Sequence, residues 1–314
     1  MELITKVQIQ ESRRKLGLGN KILIIGSCFA NEIGSILQTY GFNISVNPFG
    51  TLYNPISIAN SLKRLAAGTP FEEKEVINIS LHSTSGTSAA SAASKASAAS
   101  EAPASGGDKN AQDWKFCTFS HHSSFAKSSK EEFLASANAR LVQESEHFKN
   151  CDTVIITLGT SWVFRHTELG EVVSNCHKIH PKEFAREFVS HNGTFETLNE
   201  IIEEFPNKHF IFTVSPIRHL KDGAHGNQIS KASLLLAVEQ LVSAHPQRCS
   251  YFPAYEIMLD ELRDYRFYAE DMVHPSALAV KYIFEQFKES CIAPSDYQAM
   301  QQNHKAYKHS QHRT

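Results

Sequence analysis

The sequence predicts an α/β protein in which helices cover both faces of a parallel sheet. Short apolar runs, suited to buried strands, recur along the chain, and longer amphipathic stretches separate them. Such alternation is typical of βαβ units, because each crossover helix packs onto the sheet between two parallel strands. The predicted strands are 22–25, 42–46, 153–158, 209–214 and a short one at 251–252. The predicted helices are 31–40, 55–67, 130–148, 181–205, 228–244 and 276–287.

The first strand–helix junction carries two potential nucleophiles. The apolar run 22–25 stops at Gly26, and Ser27 and Cys28 follow before helical spacing begins. Such a turn lies at the carboxyl edge of a sheet and beside a helix N-terminus. Free N–H groups and the helix dipole there favour a thiolate or an oxyanion.

Glycine-rich or polar loops directly follow each of the first four predicted strands, at 26–28, 47–51, 159–162 and 215–219. Ligand sites of parallel sheets form at the carboxyl ends of the strands, so these loops are expected to share one site. Turn chemistry alone explains each loop separately, but their common edge favours a site. Its candidate binding residues are Asn47, Gly50, Thr160, Ser161, Trp162, Arg218 and His219.

A carboxylate and a histidine stand near the end of the predicted domain. Asp271 and His274 precede the last predicted helix, and Pro275 suits its first turn. A carboxylate three residues before a histidine can orient the ring, which leaves the second ring nitrogen to take a proton from a nucleophile. A helix-capping Asp and a surface His are the alternative. Together with the Ser27–Cys28 turn, the pattern indicates a hydrolytic triad.

Charge and hydropathy exclude several classes of function. The 314 residues include 31 Lys and Arg against 33 Asp and Glu, a net charge of −2. This balance argues against a nucleic-acid partner. The N-terminus lacks the pattern of a signal peptide, and no apolar run approaches the ~20 residues that span a bilayer. A cytoplasmic protein without a membrane partner is expected.

The sequence points to no metal and no cofactor. None of its six cysteines belongs to a Cys-x-x-Cys pair. His121 and His122 would need a third ligand that the sequence does not identify, although His122 could line the cleft. Adjacent Cys176 and His177 point apart in an extended chain, so packing is favoured over a dyad. Neither a Gly-x-Gly-x-x-Gly pattern nor a Gly-Lys-Ser/Thr loop occurs at the first turn.

One segment differs from the rest of the chain. Residues 83–107 are almost entirely Ser, Ala, Gly and Thr, and cannot bury enough surface to offset their ordering entropy. A disordered insertion is predicted there, with transient helix as the alternative. The predicted organisation is one domain over 1–290, interrupted by this insert, and a polar C-terminal tail over 291–314.

Residues 26–30, Gly-Ser-Cys-Phe-Ala, match the signature of the GSCFA family, which the sequence resembles over roughly 1–290. Further segments similar to this family are 47–50, 120–123, 158–162, 176–178, 215–219 and 267–276. The family looks like a divergent branch of the SGNH (GDSL-type) hydrolases. This resemblance implies a three-layer α/β/α sandwich with a flavodoxin-like parallel sheet.

The SGNH resemblance also implies roles for the triad residues. The first SGNH block, Gly-Asp-Ser, aligns without gaps on residues 26–28, which puts Cys28 at the nucleophile and Ser27 at the Asp. The Asp-x-x-His block corresponds to Asp271 and His274. Cys28 is therefore expected beside His274, with Ser27 turned away.

Oxyanion donors follow from the same resemblance. The glycine of the second block corresponds to Gly50, and Ser161 stands where the third block has its Asn. The N–H groups of Cys28 and Gly50, with Ser161, are therefore expected to hold the oxyanion. The chain departs from the SGNH pattern in two ways: a thiol replaces the hydroxyl of the nucleophile, and the Asn of the third block is missing. Losing such a donor can cost about 10²–10³ in rate, which makes Cys28 more plausible as an acyl carrier in a transferase.

Two functions remain open on the sequence. One is an SGNH-like esterase or acyltransferase that acts on an O-acyl group. Its substrate would be a small-molecule or saccharide ester, with an acyl-CoA as a candidate donor. The other is a catalytically silent module that binds a carbohydrate or acylated ligand, which the missing Asn and the bulky Tyr53 and Trp162 favour.

Overall fold

The computed structural model describes residues 5–80 and 114–311, so the insert predicted at 83–107 lies outside the described residues. The strands are β1 (Lys21–Gly26), β2 (Asn43–Val46), β3 (Val76–Ser80), β4 (Trp114–Thr118), β5 (Thr153–Leu158), β6 (Trp162–His166), β7 (Val172–Val173), β8 (Phe184–Phe188), β9 (His209–Val214) and β10 (Cys249–Tyr251). The helices are α1 (Cys28–Thr39), α2 (Pro55–Ala67), α3 (Lys130–Asn150), α4 (His191–Glu204), α5 (Gly223–Ala244), α6 (Ala254–Glu256), α7 (Ala277–Cys291) and α8 (Tyr297–Gln311). None of the described helices is long and apolar enough to cross a membrane.

The centre of the molecule is a five-stranded sheet in the order β10-β9-β5-β1-β2. All four pairings in it are parallel. Numbered along the chain, the sheet strands run 2-1-3-4-5, which is the flavodoxin-like order. The sequence-based expectation of a three-layer α/β/α sandwich is confirmed.

Alternate residues of the strands face opposite helix layers. In β1, Leu23 and Ile25 pack against α2, α3, α4 and α5. Ile22 and Ile24 pack instead against α1, α7 and the segment around α6. Every residue of β5 and β9 is buried, as expected for central parallel strands covered on both faces.

The predicted helix 181–205 is wrong in its first half. Residues 184–188 form β8, which pairs antiparallel with β6, and α4 begins only at His191. The aromatic rings of Phe184 and Phe188 pack edge-on against His166 and Trp162 across the strand pair. Ser190 then caps α4 by accepting a hydrogen bond from the Gly193 N–H. Cross-strand packing therefore prevails over the helical spacing of this segment.

Two small sheets and a C-terminal helix add to the predicted elements. Strands β3 and β4 form a two-stranded antiparallel sheet, and β7-β6-β8 form an antiparallel sheet after the central β5. Within the predicted polar tail, α8 packs on the domain. Its Met300 is buried, His304 stacks on Tyr40 with ring centroids 4.7 Å apart, and the Asn303 amide donates to the Tyr40 carbonyl.

Candidate active site

The four loops that follow β1, β2, β5 and β9 lie at one edge of the sheet, because these strands are parallel neighbours. This confirms the placement expected from the sequence. The loop before α7 joins them, since the Arg218 N–H donates to the Val273 carbonyl at 3.3 Å. Residues from both ends of the chain therefore meet at this edge.

The first turn orients Ser27 into the protein. A Cβ on Gly26, whose φ is 140°, would lie 2.2 Å from the Thr157 carbonyl oxygen, so only glycine fits. Ser27 is completely buried; its Oγ accepts from the Phe29 N–H as the cap of α1 and lies 3.1 Å from Thr157 Oγ1. Cys28, the first residue of α1, is partly exposed. Of the two candidate nucleophiles, only Cys28 is accessible.

Asp271 orients His274 through three hydrogen bonds. The His274 Nδ1–H donates to Asp271 Oδ2 at 2.6 Å, and the N–H groups of Val273 and His274 donate to Oδ1 at 2.9 Å. Partial burial acts to raise the pKa of Asp271, but these three donors outweigh it, so the pKa is lowered. An ionised Asp271 fixes the proton on Nδ1, which leaves Nε2 for a second partner.

The second partner of His274 is the Cys28 side chain. A hydrogen bond to Cys28 raises the pKa of His274 to about 9; partial burial opposes this, while the bond and charge of Asp271 reinforce it. His274 is therefore an imidazolium at neutral pH. A cationic imidazole and the N-terminus of α1 therefore both lie beside the Cys28 sulfur.

Tyr53 contacts the same sulfur, and its role was not predicted from the sequence. Its hydroxyl lies 3.3 Å from Cys28 Sγ. Burial, followed by the proximity of Cys28, raises the pKa of Tyr53, so the phenol stays protonated. The available signal was position alone, since Tyr53 follows β2 and directly precedes the Asn54–Pro55 start of α2.

Two of the three groups expected to hold the oxyanion, the Gly50 N–H and Ser161, have hydrogen-bond partners within the protein. The Gly50 N–H donates to the Asn47 carbonyl at 2.8 Å within a tight turn. The Ser161 N–H donates to Ser230 Oγ at 2.7 Å and its hydroxyl to the Ser230 carbonyl at 3.2 Å. Ser161 is fully buried, and Thr160 Oγ1 lies 3.0 Å from the same Ser230 Oγ. The Gly50 N–H thus closes its own turn, and Ser161 and Thr160 hold the loop after β5 against α5. None of these groups is free to donate to an oxyanion at the sulfur.

Asn47 and Trp162, which were candidate binding residues, have structural partners. Asn47 accepts from the Gly26 N–H at 2.8 Å and donates to Asn31 at 2.7 Å, which ties the end of β1 to α1. The indole N–H of Trp162 donates to the Gly226 carbonyl at 3.3 Å. Both side chains thus hold the edge of the sheet together.

His122 lies beside the Gly50 turn. Its Nδ1 is 2.9 Å from Ser124 Oγ, and burial lowers its pKa, so the ring is neutral. A Cβ on Gly50, whose φ is 92°, would lie 2.2 Å from the His122 Cβ. Glycine is required here for close packing.

Among the described residues, no group of three or more His, Cys, Asp or Glu side chains is arranged to hold a metal.

Arg218 carries a positive charge that no carboxylate neutralises in the part of the chain that the structure describes. Its guanidinium lies over the ring of Tyr268, 4.0 Å from the centroid. His219 is neutral, because burial and then the charges of Lys231, Arg186 and His274 lower its pKa to about 3. His219 therefore adds no charge of its own to this edge.

Lys231 is a second residue that the sequence analysis missed. It is 1 % exposed, and its ammonium donates to the carbonyls of Gly159 at 2.7 Å and Ser215 at 2.8 Å. It thereby joins the loops that follow β5 and β9. Burial lowers its pKa to about 7. In the sequence, Lys231 stands three and seven residues before Leu234 and Val238, which places it on the apolar face of α5 and indicates burial.

The fold and the site define a class, a parallel α/β/α protein with a Cys–His–Asp arrangement at the carboxyl edge of its sheet. Residues 21–287 match the model of the GSCFA family, and the chain belongs to this family. No curated protein and no solved structure matches the chain.

Proposed function

We propose that this protein is a cysteine-dependent esterase or acyltransferase that acts on an O-acyl group and carries the acyl group on Cys28. The observation that supports it is the line of contacts from Cys28 to His274 to Asp271. A thiol nucleophile, an imidazole and an orienting carboxylate are the parts that acyl transfer requires. The likeness of its motifs to the SGNH hydrolases points to the same chemistry.

The reaction starts from the thiolate of Cys28 and the imidazolium of His274. The thiolate attacks the acyl carbon, a C–S bond forms, and the C=O electron pair moves onto oxygen. When this pair returns, the C–O bond to the leaving group breaks and the leaving oxygen takes the proton from His274. The products are an alcohol and an S-acyl Cys28.

The second half of the reaction reverses these roles. Water or another hydroxyl gives its proton to the now neutral His274 and attacks the thioester carbon. The sulfur leaves as the thiolate, which restores the starting ion pair and releases an acid or a new ester. His274 therefore acts first as an acid towards the leaving group and then as a base towards the incoming hydroxyl. Its pKa of about 9 supports this order.

A substrate with an anionic group suits this site best. Arg218 has no carboxylate partner among the described residues, and its backbone contacts the Asp271–His274 loop. A carboxylate or phosphate on the ester would neutralise this charge through bidentate hydrogen bonds to the guanidinium. An acidic saccharide ester and an acyl-CoA donor both meet this requirement.

The second candidate function is a silent binding module for a carbohydrate or acylated ligand. One observation favours it: the Gly50 N–H and the Ser161 side chain already have partners in the protein. Such a module would keep the cleft but would not form an acyl thioester.

Acyl labelling tests the proposal. The protein is incubated with 4-nitrophenyl acetate, and the modified residue is located by peptide mass spectrometry. We expect an acetyl group on Cys28, its loss in Cys28→Ala, and its retention in Ser27→Ala, which should only weaken the cap of α1 by about 1 kcal/mol. Cys176→Ala is the matched control, because Cys176 is the other partly exposed cysteine. Unlabelled Cys28 in the folded wild type would favour the silent module.

A further inference from the structure

The tetrahedral intermediate of the proposed reaction carries a negative oxygen that needs hydrogen-bond donors. Removing one such donor costs an enzyme about 10²–10³ in rate. Of the three groups expected to hold it, Gly50 and Ser161 form hydrogen bonds elsewhere, and the Cys28 N–H remains. The Cys28 N–H lies in the first turn of α1, where a helix offers no carbonyl acceptor. It is one donor, and a second must come from another residue near the sulfur.

We infer that Tyr53 is a catalytic residue whose hydroxyl, together with the Cys28 N–H, forms the oxyanion site; this inference rests on the proposed function. The hydroxyl lies 3.3 Å from Cys28 Sγ. The acyl carbon is bonded directly to this sulfur in the intermediate. A group that contacts the sulfur is therefore within reach of the oxygen on that carbon.

Tyr53 has the chemistry of a permanent donor. Its raised pKa keeps the phenol protonated, and the Thr51 side chain forms a second hydrogen bond with the hydroxyl. With Thr51 donating, the Tyr53 proton is directed towards Cys28. The phenol donates this hydrogen bond without giving up its proton. No proton therefore has to return to Tyr53 when the intermediate collapses.

The backbone around Tyr53 is fixed before the substrate arrives. The Tyr53 carbonyl accepts from the N–H groups of Gly159 and Thr160, both at 2.8 Å. The ring packs edge-on against His219 with centroids 5.5 Å apart. Buried Lys231 in turn holds the Gly159 carbonyl. Donors that need no reorganisation during the reaction are the most effective in stabilising an oxyanion.

The test separates attack on a carbonyl from reactivity of the sulfur. Acylation of Cys28 by 4-nitrophenyl acetate builds up an oxyanion, whereas alkylation by iodoacetamide does not. In Tyr53→Phe we expect the acylation rate to fall about 10²-fold, and the alkylation rate to change by less than about threefold. Tyr40→Phe is the control, because Tyr40 stacks on Phe284 away from the sulfur. Iodoacetamide labelling limited to the two partly exposed cysteines shows that each variant is folded.

Each outcome bears on one claim. Unchanged acylation in Tyr53→Phe, with an active wild type, overturns the role of Tyr53 and leaves the proposed function intact. Equal losses of acylation and alkylation also overturn it, since Tyr53 would then act on the sulfur alone. A wild type that is alkylated at Cys28 but never acylated overturns the proposed function, and the oxyanion site with it. If Tyr53→Phe is unfolded, the wild type is compared on phenyl acetate and its thionoester. Equal acylation rates for these two esters would contradict a donor at the oxyanion.

Discussion

Replacing Asp271 with Asn should lower the pKa of His274 and reduce turnover. The side-chain oxygen of Asn can still accept from the N–H groups of Val273 and His274, as Oδ1 does at 2.9 Å. The loop is therefore preserved. What disappears is the charged acceptor 2.6 Å from Nδ1, one of the two groups that stabilise the imidazolium; the other is Cys28.

The magnitude follows from the pKa. With a pKa of about 9, His274 is ~90 % protonated at pH 8. At its ordinary value of 6.5, only ~3 % would be protonated at that pH. The bond to Cys28 remains in Asp271→Asn, so we expect a pKa between these limits. Lost protonation alone lowers turnover by at most about 30-fold at pH 8. Loss of the orienting carboxylate adds to this, so turnover should fall by orders of magnitude, up to the ~10⁴-fold that serine hydrolases lose without theirs.

Two measurements check this prediction. Nuclear magnetic resonance titration of the His274 ring, assigned by comparison with His274→Ala, gives the pKa directly. The kcat/KM for phenyl acetate against pH reports the proton that the free enzyme delivers to the leaving group, since phenolate leaves poorly without one. Its alkaline limit should move from about pH 9 towards neutral. Asp264→Asn is the control, because Asp264 accepts from a backbone N–H in a nearby turn but does not contact His274.

The titration of His274 should make the free energy of unfolding depend on pH in a known direction. The pKa of His274 is raised in the folded state, so its contribution to folding is complete below about pH 6.5 and is lost as the pH rises through about 9. Asp271→Asn should remove part of this dependence. A folded variant that keeps a His274 pKa near 9 and full turnover would refute the orienting role of Asp271.

Two further predictions concern cationic groups near the site. Arg218→Gln should lower kcat/KM for 4-nitrophenyl hemisuccinate by about tenfold or more, from the loss of a charge-assisted hydrogen bond, while the acetate ester serves as the uncharged control. Equal effects on both esters would contradict an anion-binding Arg218. Lys231→Met should lower the free energy of unfolding by about 1–3 kcal/mol, because the Gly159 and Ser215 carbonyls lose their donor. Urea denaturation should show the gap to the wild type widening from about pH 7 to about 10.5, because in this range folded Lys231 has lost its proton while the unfolded chain still holds one, so a rise in pH disfavours unfolding of the wild type.

Local chemistry was sufficient to predict the sheet and half of the site. Strands β5 and β9 were predicted with their observed bounds, because central parallel strands are continuous apolar runs. The bounds of α2 are fixed by an N-cap at Asn54, a proline at its first position and Gly68 at its end. The pair Asp271 and His274 is three residues apart, so its contact depends on one turn.

Contacts between distant segments decided the rest. The contact between Ser161 and Ser230 joins residues 69 positions apart, and the contact between Tyr53 and Cys28 joins residues 25 positions apart. A local sequence pattern does not predict contacts at such separations. The Ser161 side chain was therefore predicted to bind the oxyanion, although it forms a hydrogen bond with Ser230 of α5. The role of the Tyr53 hydroxyl was not predicted, although it contacts the Cys28 sulfur. Propensity and periodicity describe neighbours along the chain, whereas a hydrogen bond satisfied by a remote helix depends on how the layers pack.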